Sequence, residues 1–360
     1  WYALPDYKMY PFTYPPFGAW ALSPLTWFDY ETAARLMIMA IALQTALIVA
    51  LIGRSLGWSW GSAFAIAPWA AILVQQCLEP FNQSVGFAQV NTAMMALVMI
   101  DVAAPPSWKG RGVASGLAAA IKLTPAIAVL IFLLRRQWRS AITMVTTSVA
   151  VTLLGCIISK DESASFFIYA MWDPQRAGDP YYTSNQNLKG FVSRALPENA
   201  WSITWAIAVV LALVAAVWLC LRIQAAATPA VPVLPENLAT LLTAAVIMTL
   251  GLLVSPITWS HHWVWGLASV VVLIAVALRL KSAPLAAVAL VQGALFIMAP
   301  HWWFSHGQVN ELHWNVVEQL VGSSYTLAAI ASGVALAWAL PVQATARLGW
   351  NSLRRTNAPI

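Results

Sequence analysis

Two adjacent histidines, His261 and His262, sit in the stretch VSPITWSHHWVW (254–265), between Trp259 and Trp263. An imidazole gives or takes a proton near neutrality, and indole faces offer the flat apolar surface that sugar rings stack on. A satisfied interfacial pair beside an aromatic belt is the other reading. Lys122, in GLAAAIKLTPAIAVLIF, is a second candidate. A lysine inside an apolar run is costly, and the default reading is a functional group with a partner. Snorkelling to nearby headgroups is the alternative. Two amide-rich stretches complete the set. LEPFNQSVGFAQVN (78–91) carries Glu79, Gln89 and Asn91, and YYTSNQNLKGF (181–191) carries Asn185, Gln186, Asn187 and Lys189. Amides donate and accept at once, which suits sugar hydroxyls; helix capping and plain solvated loop compete with that use. In PFTYPPF (11–17), Pro15 and Pro16 stiffen the approach to the next helix.

The elements that must position these groups follow from composition. Hydrophobic residues make up 60% and charged residues 9%, with a mean hydropathy of +0.71. A soluble domain carries roughly a quarter charged residues, so the chain is an integral membrane protein. Runs such as 36–52 and 205–221 approach the ~20 residues that cross a hydrocarbon core as a helix. They lack the alternation of a barrel strand. The fold expected is an all-α, polytopic transmembrane bundle forming one domain over 1–360. Many of the 20 tryptophans stand at run ends, as an interfacial belt does. Cys77, Cys156 and Cys220 form neither a disulfide framework nor a metal-ligand spacing. No glycine-rich phosphate motif occurs, so soluble nucleotide sites are not expected. A net charge of +6 raises the question of nucleic acid, and its distribution answers it.

Candidate spans are 34–53, 59–76, 88–104, 139–158, 201–221, 238–254, 264–280, 283–300 and 323–342. The stretch 112–134 is ambiguous, because Lys109 and Arg111 precede it and Arg135, Arg136 and Arg139 follow it. A single crossing would put these clusters on opposite sides, against the positive-inside rule. If the stretch instead enters and returns, they join Arg54, Arg222, Arg279, Lys281 and the tail arginines on one face, with only Asp101 and Glu236 against them. That makes about ten membrane segments, with a broken helical hairpin at Lys122–Pro125, since Pro125 removes a backbone donor and restricts the residue before it. The basic face is then cytoplasmic, including a tail over 343–360. The opposite face carries 1–33 (a loop remnant with a short helix), 77–87, the large loop 159–200 and 301–322, and with them most acids and all five histidines. Chemistry is expected there, on the outside of the cell membrane.

In order along the chain, PFTYPPF, AQVN, GLAAAIKLTPAI, TSNQNLKGFVSRAL and LLVSPITWSHHWVW resemble glycosyltransferase family 87, which are GT-C-type α-mannosyltransferases. The likeness runs from about residue 11 to 270, and the tail after 280 adds little beyond hydropathy. The resemblance implies polyprenyl-phosphate-mannose as donor, a glycolipid on the outer leaflet as acceptor, inversion to an α-1,2 linkage, and no further cofactor or metal. The phosphatidylinositol mannoside enzymes are the nearest type, with the lipoarabinomannan-branching type a rival. Single-displacement inversion needs a general base on the acceptor hydroxyl and positive charge at the departing phosphate. The resemblance gives the second role to Lys122 with His261 or His262. Tyr14, Gln89, Asn91, Asn185 and Trp259 take sugar or phosphate positioning. AQVN departs from the family's GQxN only at a small residue. The family's base is an aspartate in a D-L-x-V-Y-like motif, which does not occur in these residues; Asp6 matches a different position. The chain as given is expected to lack its first helix and its base, a lack that would leave it inactive. The rival readings are a transporter or lipid flippase with the same broken helix, a non-catalytic scaffold, and another polyprenyl-phosphate-dependent hexosyl- or arabinosyltransferase.

Overall fold

The computed structural model describes residues 12–228 and 233–341. The predicted basic tail and the first part of the predicted outer loop remnant lie outside the described residues. Within them every regular element is helical, apart from one isolated bridge between Asn185 and Trp259. Helix α1 (Pro16–Leu22) opens with a proline, whose missing N–H costs nothing at that position. Asp29 caps α2 (Tyr30–Ser55) by accepting from Thr32 N, and Ser59 caps α3 (Trp60–Cys77) the same way through Ser62. The chain then turns by 85° at Leu78 into α4 (Glu79–Gly86), which begins with Pro80 in its first turn. Next come α5 (Asn91–Ala103), α6 (Val113–Ile121), α7 (Val129–Leu134) and α8 (Trp138–Ile158). The predicted loop 159–200 contains α9 (Lys160–Ile168) and α10 (Leu188–Ala195). The remainder comprises α11 (Glu198–Ala226), α12 (Glu236–Val254), α13 (Gly266–Leu280), α14 (Ala283–Met298), α15 (Val316–Gly322) and α16 (Ser324–Ala339).

Helices occupy each apolar stretch expected to be one. Among the described residues five, however, are long and apolar enough to cross a membrane: Tyr30–Ser55, Trp138–Ile158, Glu198–Ala226, Glu236–Val254 and Ser260–Leu280. There are up to seven if α3 with α4 and α15 with α16 each count as a bent span. The expected count of about ten is therefore larger than length and composition support. Helix α5, with 13 residues, rises only about 20 Å, short of a ~30 Å core. The apolar character is nonetheless that of a protein in lipid. Trp69 is 72% exposed and Leu211 65%, and water would not tolerate so continuous an apolar shell.

Helix α12 is the axis of the bundle, with Leu241, Leu242, Ala244 and Ile247 fully buried. In lipid, helices associate through close packing rather than the hydrophobic effect, so small residues mark the contacts. Gly116 is one: a Cβ there would lie 2.6 Å from the Met144 carbonyl oxygen, so only glycine lets α6 approach α8 this closely.

Helix α6 ends at Ile121 because Lys122 is extended (φ −144°, ψ 131°), and a 3₁₀ turn over Thr124–Ala128 carries Pro125 before α7 begins. The break thus falls on the lysine itself. Arg111, just before α6, stacks over the ring of Phe132 in α7 at 5.5 Å. It also donates to the Asp101 carbonyl at 2.7 Å, while Arg135 at the end of α7 pairs with Glu236. The two basic flanks of this stretch and both acids assigned to their face meet at one end of the bundle.

Candidate active site

The break leaves Lys122 buried, 9% exposed. Its Nζ donates to Asn91 Oδ1 at 2.7 Å, lies 3.4 Å from His262 Nε2, and sits over the Tyr14 ring at 5.1 Å. Among the described residues no carboxylate pairs with it. Asn91, the first residue of α5, works in both directions: Oδ1 accepts from the lysine, while Nδ2 donates to the His261 carbonyl at 3.1 Å. Ser84 Oγ donates to the same carbonyl at 3.2 Å. One amide therefore fixes both the cation and the backbone that carries the histidines. The 3.4 Å separation to His262 is too long for a strong hydrogen bond, and a lone pair rather than a proton must face the ammonium there.

Tyr14 donates to Gln89 Oε1 at 2.7 Å. Burial raises its phenol to about 12, so it stays a donor across the physiological range. The two imidazoles stand edge to face, 4.7 Å between centroids, with Phe87 5.4 Å from His261. Asn91, Lys122, Thr124, Pro125, Thr258 and His262 converge on a cavity of about 40 Å³, room for a few waters or an anionic oxygen but not for a whole sugar phosphate. The larger part of such a ligand would lie outside it.

Tyr14, Gln89, Asn91, Lys122, His261 and His262, from four separate stretches, thus share one neighbourhood. Asn185 is elsewhere in its role. It is fully buried, its Nδ2 donates to the Pro180 carbonyl at 2.8 Å and its Oδ1 accepts from Thr258 N at 2.7 Å. Gln186 and Asn187 are likewise fully buried and spent on Gly322, Thr183 and Ser255 carbonyls. These amides hold loops together rather than facing solvent. Trp259, bridged to Asn185 through the backbone, is half-buried with Tyr182 at 5.9 Å.

A second polar cluster backs the histidines. The carboxylate of Glu79 accepts from Ser260 Oγ at 2.6 Å, Trp302 Nε1 at 3.0 Å and Tyr325 OH at 3.0 Å. His301 Nε2 lies 3.6 Å away. Ser260 immediately precedes the histidine pair, so this carboxylate anchors their backbone from behind. Burial pulls His301 below the ordinary histidine range, against the opposing pull of Glu79. Glu79 itself stands out in the sequence as an acid before a proline in an outer loop. Trp302 and Tyr325 carry no such signal, because nothing in an apolar C-terminal region marks which aromatic polar tips turn inward.

Over 336 residues the chain is 30% identical to a polyprenol-phosphate-mannose-dependent alpha-(1-2)-phosphatidylinositol mannoside mannosyltransferase of Mycobacterium tuberculosis, covering 89% of this chain and 75% of that protein. The protein of the same description from Mycolicibacterium smegmatis is 30% identical over 332 residues, 88% of this chain and 73% of its own length. A polyprenol-phosphate-mannose-dependent alpha-(1-2)-phosphatidylinositol pentamannoside mannosyltransferase of M. smegmatis is 30% identical over 266 residues, 72% of this chain and 60% of its own. No solved structure matches. The model of glycosyltransferase family 87 matches residues 12–256, which take in Tyr14, Gln89, Asn91 and Lys122 and stop just short of the histidines. The chain belongs to glycosyltransferase family 87.

Proposed function

We propose that this enzyme moves mannose from polyprenyl-phosphate-mannose to a phosphatidylinositol mannoside-type glycolipid, inverting at the anomeric carbon to an α-1,2 linkage. The observation that carries the reading is the meeting of Lys122, Asn91 and His262 at one small polar cavity. When the acceptor hydroxyl attacks, the bond to the phosphate breaks and negative charge gathers on the departing oxygen. A preorganised cation in a water-poor site stabilises that charge far better than water does. Lys122 has three N–H donors and uses one strong bond on Asn91, which leaves donors for phosphate. His262 beside it, or His261 behind, supplies a further polar contact. Tyr14 and Gln89 frame the cation, Trp259 offers a stacking face to a sugar, and Asn185 fixes the backbone of Thr258 that leads to it. The base on the acceptor hydroxyl is a carboxylate outside this group.

The setting proposed is one transmembrane domain in the plasma membrane, its basic end cytoplasmic and its site at the outer side. The shorter helices and the doubled-back stretch from Val113 to Leu134 bring the membrane segments to about ten, with that stretch re-entrant. Contact of Arg111 with Phe132 supports the re-entrant path. Membranes bearing the protein, given radiolabelled polyprenyl-phosphate-mannose and phosphatidylinositol mannosides, are expected to yield labelled glycolipid with an α-1,2 linkage. Intact full-length protein that transfers no label, beside an active control enzyme, overturns the proposal.

A further inference from the structure

On the side of α12 away from Lys122 lies a groove of about 430 Å³, within the ~300–1,000 Å³ range of ligand sites. Helices α12 and α13 form its floor and α11 and α16 its walls. Its size follows from the sequence. Ala208, Ala212 and Ala215 recur on one face of α11, opposite Ala329 and Gly333 of α16, so small residues open space between larger ones such as Trp218 and Leu336. Leu211, Ile330 and Val334 at the rim are exposed, so the groove opens sideways between helices long enough to span lipid.

Its outer end differs in chemistry. Leu188 of α10 lines the groove, and the next residue, Lys189, holds its ammonium over the Trp205 ring at 5.1 Å. Among the described residues Lys189 has no acidic partner. Trp205 stands one turn before Ala208, and its indole N–H is buried without a hydrogen-bond partner. A cation and an orphaned donor at the head of an apolar channel match an amphiphile with an anionic phosphate and a hydrocarbon chain. Partial burial lowers the pKa of Lys189, which an anion seated beside it would offset. Position relative to the site sharpens the match. Asn185 is bridged to Trp259, and Lys189 is four residues further on, at most about 14 Å of chain. Helix α12 separates the groove from the Lys122 cavity, so a lipid in the groove is a different lipid from one whose phosphate meets Lys122.

We propose that this groove seats an acyl chain of the acceptor glycolipid, with its phosphodiester at Lys189 and Trp205 and its glycan extending toward Trp259. The assignment rests on the mannosyl-transfer reading above. Two measurements test it. In the wild-type protein, a phosphatidylinositol carrying a diazirine in its acyl chain is expected to cross-link to peptides of α11, α12 or α16. Labelling confined to other surfaces, or equal labelling by a matching phosphatidylethanolamine probe, overturns the assignment. In transfer assays, Ala245→Phe, which fills the floor, and Lys189→Gln are each expected to raise KM for the diacylated acceptor about tenfold. KM for the lipid-linked donor and for the deacylated acceptor should stay within twofold. An unchanged acceptor KM in a folded variant, or a rise in donor KM instead, also overturns it. Failure of the transfer reading is distinguishable: the wild type would then transfer mannose to neither acceptor, while cross-linking would still report whether the groove binds an anionic lipid.

Discussion

Lys122 is held by one short bond to Asn91 and one weak contact to His262, so removing it strips one acceptor, Asn91 Oδ1, of its partner while Asn91 Nδ2 keeps the His261 carbonyl. Lys122→Ala is therefore expected to insert and fold yet lose about 10²-fold in turnover, the loss seen when one charge-stabilising donor is removed. Initial rates in membranes normalised to folded protein check it. Lys122→Arg should recover little, because a planar guanidinium does not fit a cavity of about 40 Å³. Glu79 is the opposite case, with three donors converging on one carboxylate. Glutamine can keep Ser260 and Trp302 on its oxygen, but its NH₂ then meets the Tyr325 hydroxyl and leaves that hydrogen unpaired. Glu79→Gln is expected to cost about 1–3 kcal/mol and Glu79→Ala more, read as a graded fall in the unfolding midpoint in detergent. His301 adds a pH dependence. Glu79 faces it closely, and Arg194 and His306 add positive charge nearby. Burial lowers its pKa in the folded protein, while the unfolded chain takes up its proton near 6.5. The fold thus binds fewer protons, and stability falls as pH drops below about 6.5 until the folded-state value is passed. An unfolding midpoint that declines from pH 7 to 5, and declines less in His301→Phe, is the expected result.

At the scale of elements, the close approach of α1 to the break is the sensitive joint. A Cβ at Gly18 would lie 2.6 Å from the Ile121 carbonyl and 3.0 Å from Tyr14 Cβ. Both are fixed: one is the last carbonyl of α6, the other belongs to the ring that lies against Lys122. Gly18→Ala is expected to push α1 away, cost about 1–3 kcal/mol, and lower activity more than stability because Tyr14 moves with the helix. Activity and unfolding of the same preparation separate the two. Why this joint escapes the sequence also explains what is legible there. Apolar stretches such as 201–221 and 238–254 announce helices because composition alone requires them, and α11 and α12 extend them only at the ends. The break before Pro125 is legible because proline acts locally. The 85° turn at Leu78 had a comparable signal in Pro80, whereas the 72° bend before Ser324 has none. Clustered amides at 185–187 look like a sugar-binding loop, since residue type cannot reveal that every amide is buried against backbone carbonyls. Lys122, His261 and His262 stand out in the sequence because ionisable groups in apolar surroundings are costly, and the structure brings Lys122 within 3.4 Å of His262.

For the molecule as a whole, polar side chains separate to the two ends of an apolar bundle, and the separation predicts an orientation. Arg111, Asp101, Arg135 and Glu236 gather at one end. Lys122, the histidines and Glu79 lie toward the other, beside the half-helix α4 and the loops that follow α8 and α14. The proposed orientation, with the excess Lys and Arg of the short loops in the cytoplasm, predicts a site that faces outward, where a lipid-linked sugar rather than a soluble nucleotide sugar would be the donor. Lys109 and Asp161 are exposed residues of the two ends, and neither touches the site, so a cysteine at either position reports topology alone. In a background without Cys77, Cys156 and Cys220, Asp161→Cys is expected to react with a membrane-impermeant maleimide in intact cells. Lys109→Cys should react only after permeabilisation. The reverse pattern would put the basic end outside and the Lys122 cavity in the cytoplasm. Labelling of both positions in intact cells would mean that an even number of crossings separates them, and the re-entrant path of the stretch between Val113 and Leu134 would have to be abandoned.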